Sequence, residues 1–397
     1  MNQSEKFFLR HLSQTTPFPF LIEVKNARGV YIYDVNDKEY MDMIAGVAVN
    51  SIGHCHPKVT AALKNQIDKY LHVMVYGEFI QAPQNELIEK LIAVLPSTLD
   101  AVYPVNSGTE ANEAAIKLVK RVTNRTEIIA FKGAYHGSTN GSLSISSNEL
   151  KKQAYRPLLP GIKFIDLNDE EQLNQITKYT AGVFLETVQG DAGVRIPNES
   201  FMRALRKRCT DVGALLVFDE IQCGLGRTGK MFAFEHFQVV PDLLTLGKAL
   251  GGGMPIGVLI SSRELLSHFS HQPMLGHITT FGGNPVICAA ASACMEVLIN
   301  DIDLNEVERL GQLLADIICA HKDIITCRRI GLMFAFDMVS PDRVEKVVKS
   351  CLEKGLITFW FLSHPASFRL SPPLNISELE IRKAGHLIVE AIEETSR

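Results

Sequence analysis

Residues 214–220 read Ala-Leu-Leu-Val-Phe-Asp-Glu, five apolar residues in succession closed by two acids. A strand with one wet face would alternate apolar and polar residues. An unbroken apolar run instead fits a strand covered on both faces, as in parallel sheets lying under helices. Short, largely apolar runs recur at 128–131, 162–165, 182–186, 243–246 and 256–260. Helical patterns lie between these runs, as at 198–211. Another follows Ser107, where Ala111, Ala114, Ala115, Leu118, Val119 and Val122 keep a 3.6-residue period. This alternation predicts an α/β architecture whose large domain holds a mostly parallel sheet covered by helices. Ligands in such sheets sit beyond the carboxyl ends of the strands, so the loops that follow these runs are where function is sought.

Outward from this centre the texture changes after about residue 290. A helical pattern at 286–300 leads to an apolar run at 330–338, a helical pattern at 342–354, a short run at 368–370 and a closing helix from Ile376. The reading is a smaller α+β domain over 291–397, a large domain over 51–290, and an N-terminal segment 1–50 that joins the small one.

The 397 residues are 46% apolar and 21% charged, an ordinary globular composition, and the net charge of −4 offers no electrostatic footprint for nucleic acid. No run of eighteen apolar residues calls for a membrane. Eight cysteines without a CxxC pair, and an opening stretch without a signal-peptide pattern, read as a cytoplasmic protein with reduced thiols. His54-Cys55-His56 has no companion ligands at metal spacing, so no metal is expected.

Three elements carry chemistry. Asn106-Ser107-Gly108-Thr109-Glu110 opens a helix. It reads either as an ordinary capping box or as a phosphate site, because free N–H groups and the helix dipole meet there. Asp219 and Glu220 close a buried strand, and they read as the first polar loop residues, as a magnesium site, or as a partner for a protonated heterocycle. The magnesium reading loses its usual companion, since no GxxxxGK[ST] exists in the chain. Lys248 lies just past an apolar run among Gly247, Gly251, Gly252 and Gly253. It is either a solvated loop lysine or a partly desolvated nucleophile with room for a bulky partner. Gly224-Leu225-Gly226-Arg227-Thr228-Gly229 matches GxGxxG, but the aromatic-rich stretch after it is short for a crossover helix.

Together the three elements make a phosphate cup, a carboxylate for a ring nitrogen and a nucleophilic lysine. With NSGTEANEAAIKLVKR (106–121), AYHGST (134–139), FDEIQCGLGRTG (218–229), PDLLTLGKALGGGMPIG (241–257), TTFGGNP (279–285) and FRLSPPL (368–374), the chain resembles class III aminotransferases. These are fold type I pyridoxal-phosphate enzymes, and the likeness is to their acetylornithine, ornithine and 4-aminobutyrate branch. The resemblance implies that Lys248 bonds the cofactor and shuttles the proton, and that Asp219 pairs with the pyridinium nitrogen. It further implies Ser107, Gly108 and Thr109 around the phosphate, Ile221 and Tyr135 on the two ring faces, Gln222 on the ring hydroxyl, and His136 among the cofactor-binding residues. Glu186 matches the family's acid near the cofactor. Thr280 would reach into the site of a partner subunit, which implies a homodimer.

The resemblance also implies ping-pong transfer from an ornithine, N-acetylornithine or ω-amine donor to a 2-oxo acid such as 2-oxoglutarate. An aminomutase, racemase or decarboxylase on the same fold is the alternative. Arg369 would bind the α-carboxylate of the oxo acid. Ser138 stands where the branch typically has an arginine for a substrate carboxylate, and serine cannot offer a charged fork. Asp191 stands where a glutamate often pairs with the FRLSPPL arginine, and it is one methylene shorter. The stretch 357–362, with the single tryptophan, reads either as core of the small domain or as an apolar wall of the site.

Overall fold

The computed structural model describes residues 1–396. Near the N-terminus, β1 (Val24–Arg28), β2 (Tyr31–Asp34) and β3 (Glu39–Asp42) form an antiparallel meander. The central sheet comes next with β4 (Ala101–Val105), β5 (Glu127–Phe131), β6 (Ile162–Ile165), β7 (Thr180–Glu186), β8 (Leu215–Asp219), β9 (Leu243–Leu246) and β10 (Gly257–Ser261). Its order is β4-β10-β9-β8-β7-β5-β6. The five strands from β9 to β6 run parallel, and β10 runs antiparallel to both β9 and β4.

All six apolar runs of the sequence are strands of this sheet. The reversal at β10 follows from its connection. Only residues 247–256 separate it from β9, and a parallel crossover needs a dozen or more residues and usually a helix. Strand β4 was not among the expected strands. Its sequence, Ala-Val-Tyr-Pro-Val, carries a proline, which is tolerated because β4 lies at an edge of the sheet.

Both faces of the sheet are covered, as uniform apolar strands require. Val183, Leu185, Leu216 and Phe218 pack on one side with Phe201, Met202 and Leu205 of the Glu199–Val212 helix. Phe184 and Val217, one residue out of step, pack on the other with Ala114, Leu118 and Val119 of the Gly108–Thr123 helix.

The C-terminal part adds β11 (Thr326–Ile330), β12 (Met333–Asp337), β13 (Leu356–Ile357), β14 (Phe359–Trp360) and β15 (Ser367–Leu370). Strands β11-β12-β15-β14 make an antiparallel sheet, whereas β13 pairs in parallel with β3. Thr358 alone separates β13 from β14, so the chain leaves one sheet and enters the other within three residues. Among the described residues, no single helix is long and apolar enough to cross a membrane.

Candidate active site

The carboxyl ends of β7, β8 and β9 bring three polar side chains into line. Glu186 lies in register with Asp219, and Asp219 with Thr245. All three are buried. Asp219 Oδ2 accepts from His136 Nδ1 at 2.7 Å and from Asn112 Nδ2 at 2.8 Å, while Oδ1 accepts from the Ile221 N–H at 3.0 Å. Asn112 Oδ1 in turn accepts from Thr245 Oγ1 at 3.1 Å, which fixes the amide's orientation. Burial works to lower the pKa of His136. The hydrogen bond and charge of Asp219, with Glu186 beyond, outweigh it and raise the pKa.

Glu186 accepts the Tyr135 N–H at 2.8 Å and the Gly190 N–H at 3.1 Å. Burial nevertheless pushes its pKa up to about 7, against the charge of His136 and these two N–H groups. The folded value lies above the ordinary 4.5, so the fold favours the protonated acid. That contribution to stability is complete below the unfolded value and is lost as pH rises through about 7. A glutamine stays neutral throughout. The melting temperature of Glu186→Gln relative to the unsubstituted protein is therefore expected to rise between about pH 5 and about pH 8. A difference that stays flat across that range would contradict the shift.

Glu220, the second acid, turns away from this line. It accepts the Ala233 and Phe234 N–H groups, each at 2.7 Å, and burial raises its pKa to about 8. It pins the loop that contains the GxGxxG match. Within that loop Arg227 is fully buried and donates to the carbonyls of Leu332 and Pro372 and to Ser51 Oγ. The loop runs on into the short 3-10 turn Ala233–His236, so no helix N-terminus stands there to receive a pyrophosphate.

Lys248 follows β9 at the start of a 3-10 turn, with φ at +41°, a strained value for a side-chain-bearing residue. Burial lowers the pKa of its amine, with Asp219 and Glu186 acting against that and Arg369 adding to it. Ser107 caps the Gly108–Thr123 helix, accepting the Glu110 N–H at 3.3 Å, so the capping reading is correct as far as it goes. The cap leaves the Gly108 and Thr109 N–H groups without intrahelical acceptors. Gly108 lies against Ile221, and a Cβ at Gly108 would stand 2.7 Å from Ile221 Cδ1. Ile221 also touches Gly247, the neighbour of Lys248, so cup, strand end and lysine converge on one place. Thr109 Oγ1 hydrogen-bonds Thr139 Oγ1 at 2.8 Å and Ser142 Oγ at 2.5 Å.

Around this centre, Tyr135 is half-exposed with its hydroxyl 3.3 Å from Ser138 Oγ, and Gln222 packs against Gly190. Arg369, on β15, is 8% exposed and lies between the rings of Phe359 and Phe361, each 5.5 Å from its guanidinium carbon. Its Nε has no partner. The 357–362 stretch thus serves both of its readings: Phe361 and Thr358 are buried, and Phe359 and Phe361 wall Arg369. Asp191 bonds Lys151 Nζ at 2.9 Å and Ser363 Oγ at 2.5 Å. Thr280 is exposed, while Thr279 Oγ1 accepts from Asn106 Nδ2 at 3.1 Å and from the Gly282 N–H at 2.7 Å. His54 pairs with Asp42 at 2.9 Å, and among the described residues no His, Cys, Asp and Glu cluster is placed to hold a metal.

The pattern of the aminotransferase class-III family matches residues 13–392. The chain belongs to the class-III aminotransferases. An acetylornithine aminotransferase of Methanocaldococcus jannaschii is 38% identical to it over 365 residues, covering 89% of each chain. The ornithine aminotransferase of Toxoplasma gondii ME49 superposes with a TM-score of 0.91 at 29% identity, over all of this chain and 96% of the other. A second structure of that Toxoplasma enzyme carries pyridoxal phosphate in its active site at partial occupancy. This class-III aminotransferase has the fold type I architecture, is an amino-group transferase, and uses pyridoxal 5′-phosphate.

The residues present fit that cofactor. Asp219 Oδ1 accepts a single hydrogen bond and has a lone pair to spare for a ring N–H. Two free helix N–H groups suit a phosphate, and the Lys248 amine is desolvated. The sequence reading missed Asn112, Lys151 and Ser363. Asn112 had a signal, a polar residue at helical spacing from Ala115, Ile116 and Val119, and it is fully buried. Lys151 and Ser363 had none.

Proposed function

We propose that this aminotransferase takes the terminal amino group of an ornithine- or N-acetylornithine-like donor and passes it to 2-oxoglutarate in two half-reactions. The observation that carries the substrate reading is Arg369, a buried guanidinium without a carboxylate partner, walled by two phenyl rings. A charge in that state calls for a ligand carboxylate. The likeness to acetylornithine and ornithine aminotransferases supports the donor class.

When bound, pyridoxal phosphate supplies an aldehyde that takes up the amino group and a protonated ring that draws electrons from the substrate carbon. Asp219 holds the proton on the ring nitrogen, and His136 and Asn112 hold Asp219 in place. Lys248 Nζ, its basicity tempered by burial, would take the proton from the amino-bearing carbon of the donor and hand that proton on to the cofactor. Ser107, Gly108 and Thr109 would hold the phosphate, Ile221 and Tyr135 would pack on the ring, and Gln222 would bind the ring hydroxyl. Glu186, in register with Asp219 on the neighbouring strand, is pushed toward its neutral form by burial and by the charge of Asp219. Ser138 leaves the distal end of the substrate without the charged fork of an arginine.

A homodimer is part of the proposal. Leu71, Val73, Met74, Phe79, Ile80, Ile278 and Phe281 are exposed apolar residues on two neighbouring segments, joined by the contact of His72 with Phe281 at 5.1 Å. Thr280 lies in the second segment and faces outward, which suits a hydroxyl that serves another subunit. Sedimentation velocity at micromolar concentration tests this, and a monomer would contradict it.

The donor is tested by mixing cofactor-loaded protein with one amine at a time, without oxo acid, while the visible absorbance is followed. N-Acetylornithine or ornithine is expected to bleach the band, and 2-oxoglutarate to restore it. Consumption of an amine without transfer of its nitrogen to 2-oxoglutarate would favour a mutase, racemase or decarboxylase instead.

A further inference from the structure

Arg369 and Asp191 are each more than nine-tenths buried, and the charge of Asp191 reaches the guanidinium, acting against the effect of burial on it. Ser363, which bonds Asp191, follows Phe361, a wall of Arg369, by two residues, and opposite charges that share a dry setting gain by pairing directly. Arg369 and Asp191 do not. Asp191 Oδ2 is taken by Lys151 Nζ at 2.9 Å and by Ser363 Oγ at 2.5 Å. Ser363 is itself held by Asn148 Nδ2 at 3.0 Å. Lys151 is anchored a second way, its ammonium lying 5.2 Å from the centre of the Tyr135 ring. Arg369 is left with phenyl rings on two sides and an unpartnered Nε.

We propose that Lys151 and Ser363 form a latch that holds Asp191 off Arg369 and so keeps the guanidinium open to a substrate carboxylate. Lys151 is a positioning residue in this scheme, acting through Asp191 and not on the ligand. The proposal rests on the reading of Arg369 as a carboxylate site and deepens it. Without the latch, Asp191 swings onto Arg369, and an incoming carboxylate must displace it. The enzyme then handles oxo acids poorly and amines that lack an α-carboxylate comparatively well. The shorter reach of aspartate makes the latched state easy to hold, because the side chain must move to pair with Arg369.

The test uses cofactor-loaded enzyme and glutarate, a dicarboxylate with no oxo group to react, with binding measured by calorimetry. Lys151→Met keeps an apolar stem on Tyr135 and removes the charge. It is expected to weaken glutarate roughly tenfold, the effect of one internal carboxylate competing for the guanidinium. Ser363→Ala is expected to shift binding in the same direction by a smaller factor. Adding Asp191→Asn to Lys151→Met is expected to restore binding to within about twofold, since the competitor has lost its charge. Unchanged glutarate binding in Lys151→Met would overturn the latch. Weakened binding that Asp191→Asn fails to restore would overturn it too, and would put Lys151 in direct contact with the ligand. Glutarate bound equally by the unsubstituted enzyme and Arg369→Ala would overturn the role of Arg369 itself, a failure distinct from the other two.

Discussion

Lys248→Ala is expected to abolish amino transfer, lowering turnover by at least about ten-thousand-fold, while the protein still folds. The size follows from the two tasks given to one amine: bonding the cofactor and moving the substrate proton. Both need an amine that is desolvated and short of protons, and burial lowers the Lys248 pKa in that direction. The fold is expected to survive because Lys248 lies in a short 3-10 turn after β9, and its amine interacts with the charges of Asp219 and Glu186. Circular dichroism and a thermal melt check the fold, and a coupled assay for glutamate formation checks the turnover. Activity retained in this variant would remove Lys248 from the chemistry.

The second large effect is expected at Asp219. Asp219→Asn keeps the shape of the side chain and removes its charge, so the ring nitrogen loses the partner that keeps it protonated. A drop in kcat of about a hundred- to a thousandfold is expected, in line with the loss of one preorganised electrostatic group. Asp219→Ala goes further, because it leaves His136 Nδ1 and one of the two Asn112 Nδ2 hydrogens buried without the acceptor they share, the other keeping the His136 carbonyl. Each orphaned donor costs about 1–3 kcal/mol, so the alanine variant is expected to melt lower than the asparagine variant. Equal melting temperatures would mean that the His136–Asp219–Asn112 network is not what holds the strand end.

Much of this was legible in the sequence, for physical reasons. Strands covered on both faces leave uniform apolar runs, and all six runs read that way became strands of one sheet. The functional residues obey the same logic, because Glu186, Asp219 and Lys248 are the polar residues found where such runs stop. What stayed hidden was set by contacts distant in sequence. Strand β4 hid because Tyr103 and Pro104 break the apolar texture, a liberty its edge position allows. Lys151 and Ser363 meet Asp191 from 40 and 172 residues away, and no local pattern marks either. The aromatic walls of Arg369 were half visible. The 357–362 stretch stood out for its rings, but only the register of β14 on β15 sets Phe359 opposite Arg369.

The most direct measurement is reduction of the cofactor-loaded enzyme with borohydride, which makes the bond between lysine and cofactor permanent, and then digestion and mass spectrometry of the peptides. The cofactor-derived mass is expected on the peptide that contains Lys248 and on no other. A label on a different lysine, or none on any, would contradict the assignment on which every role at this site depends.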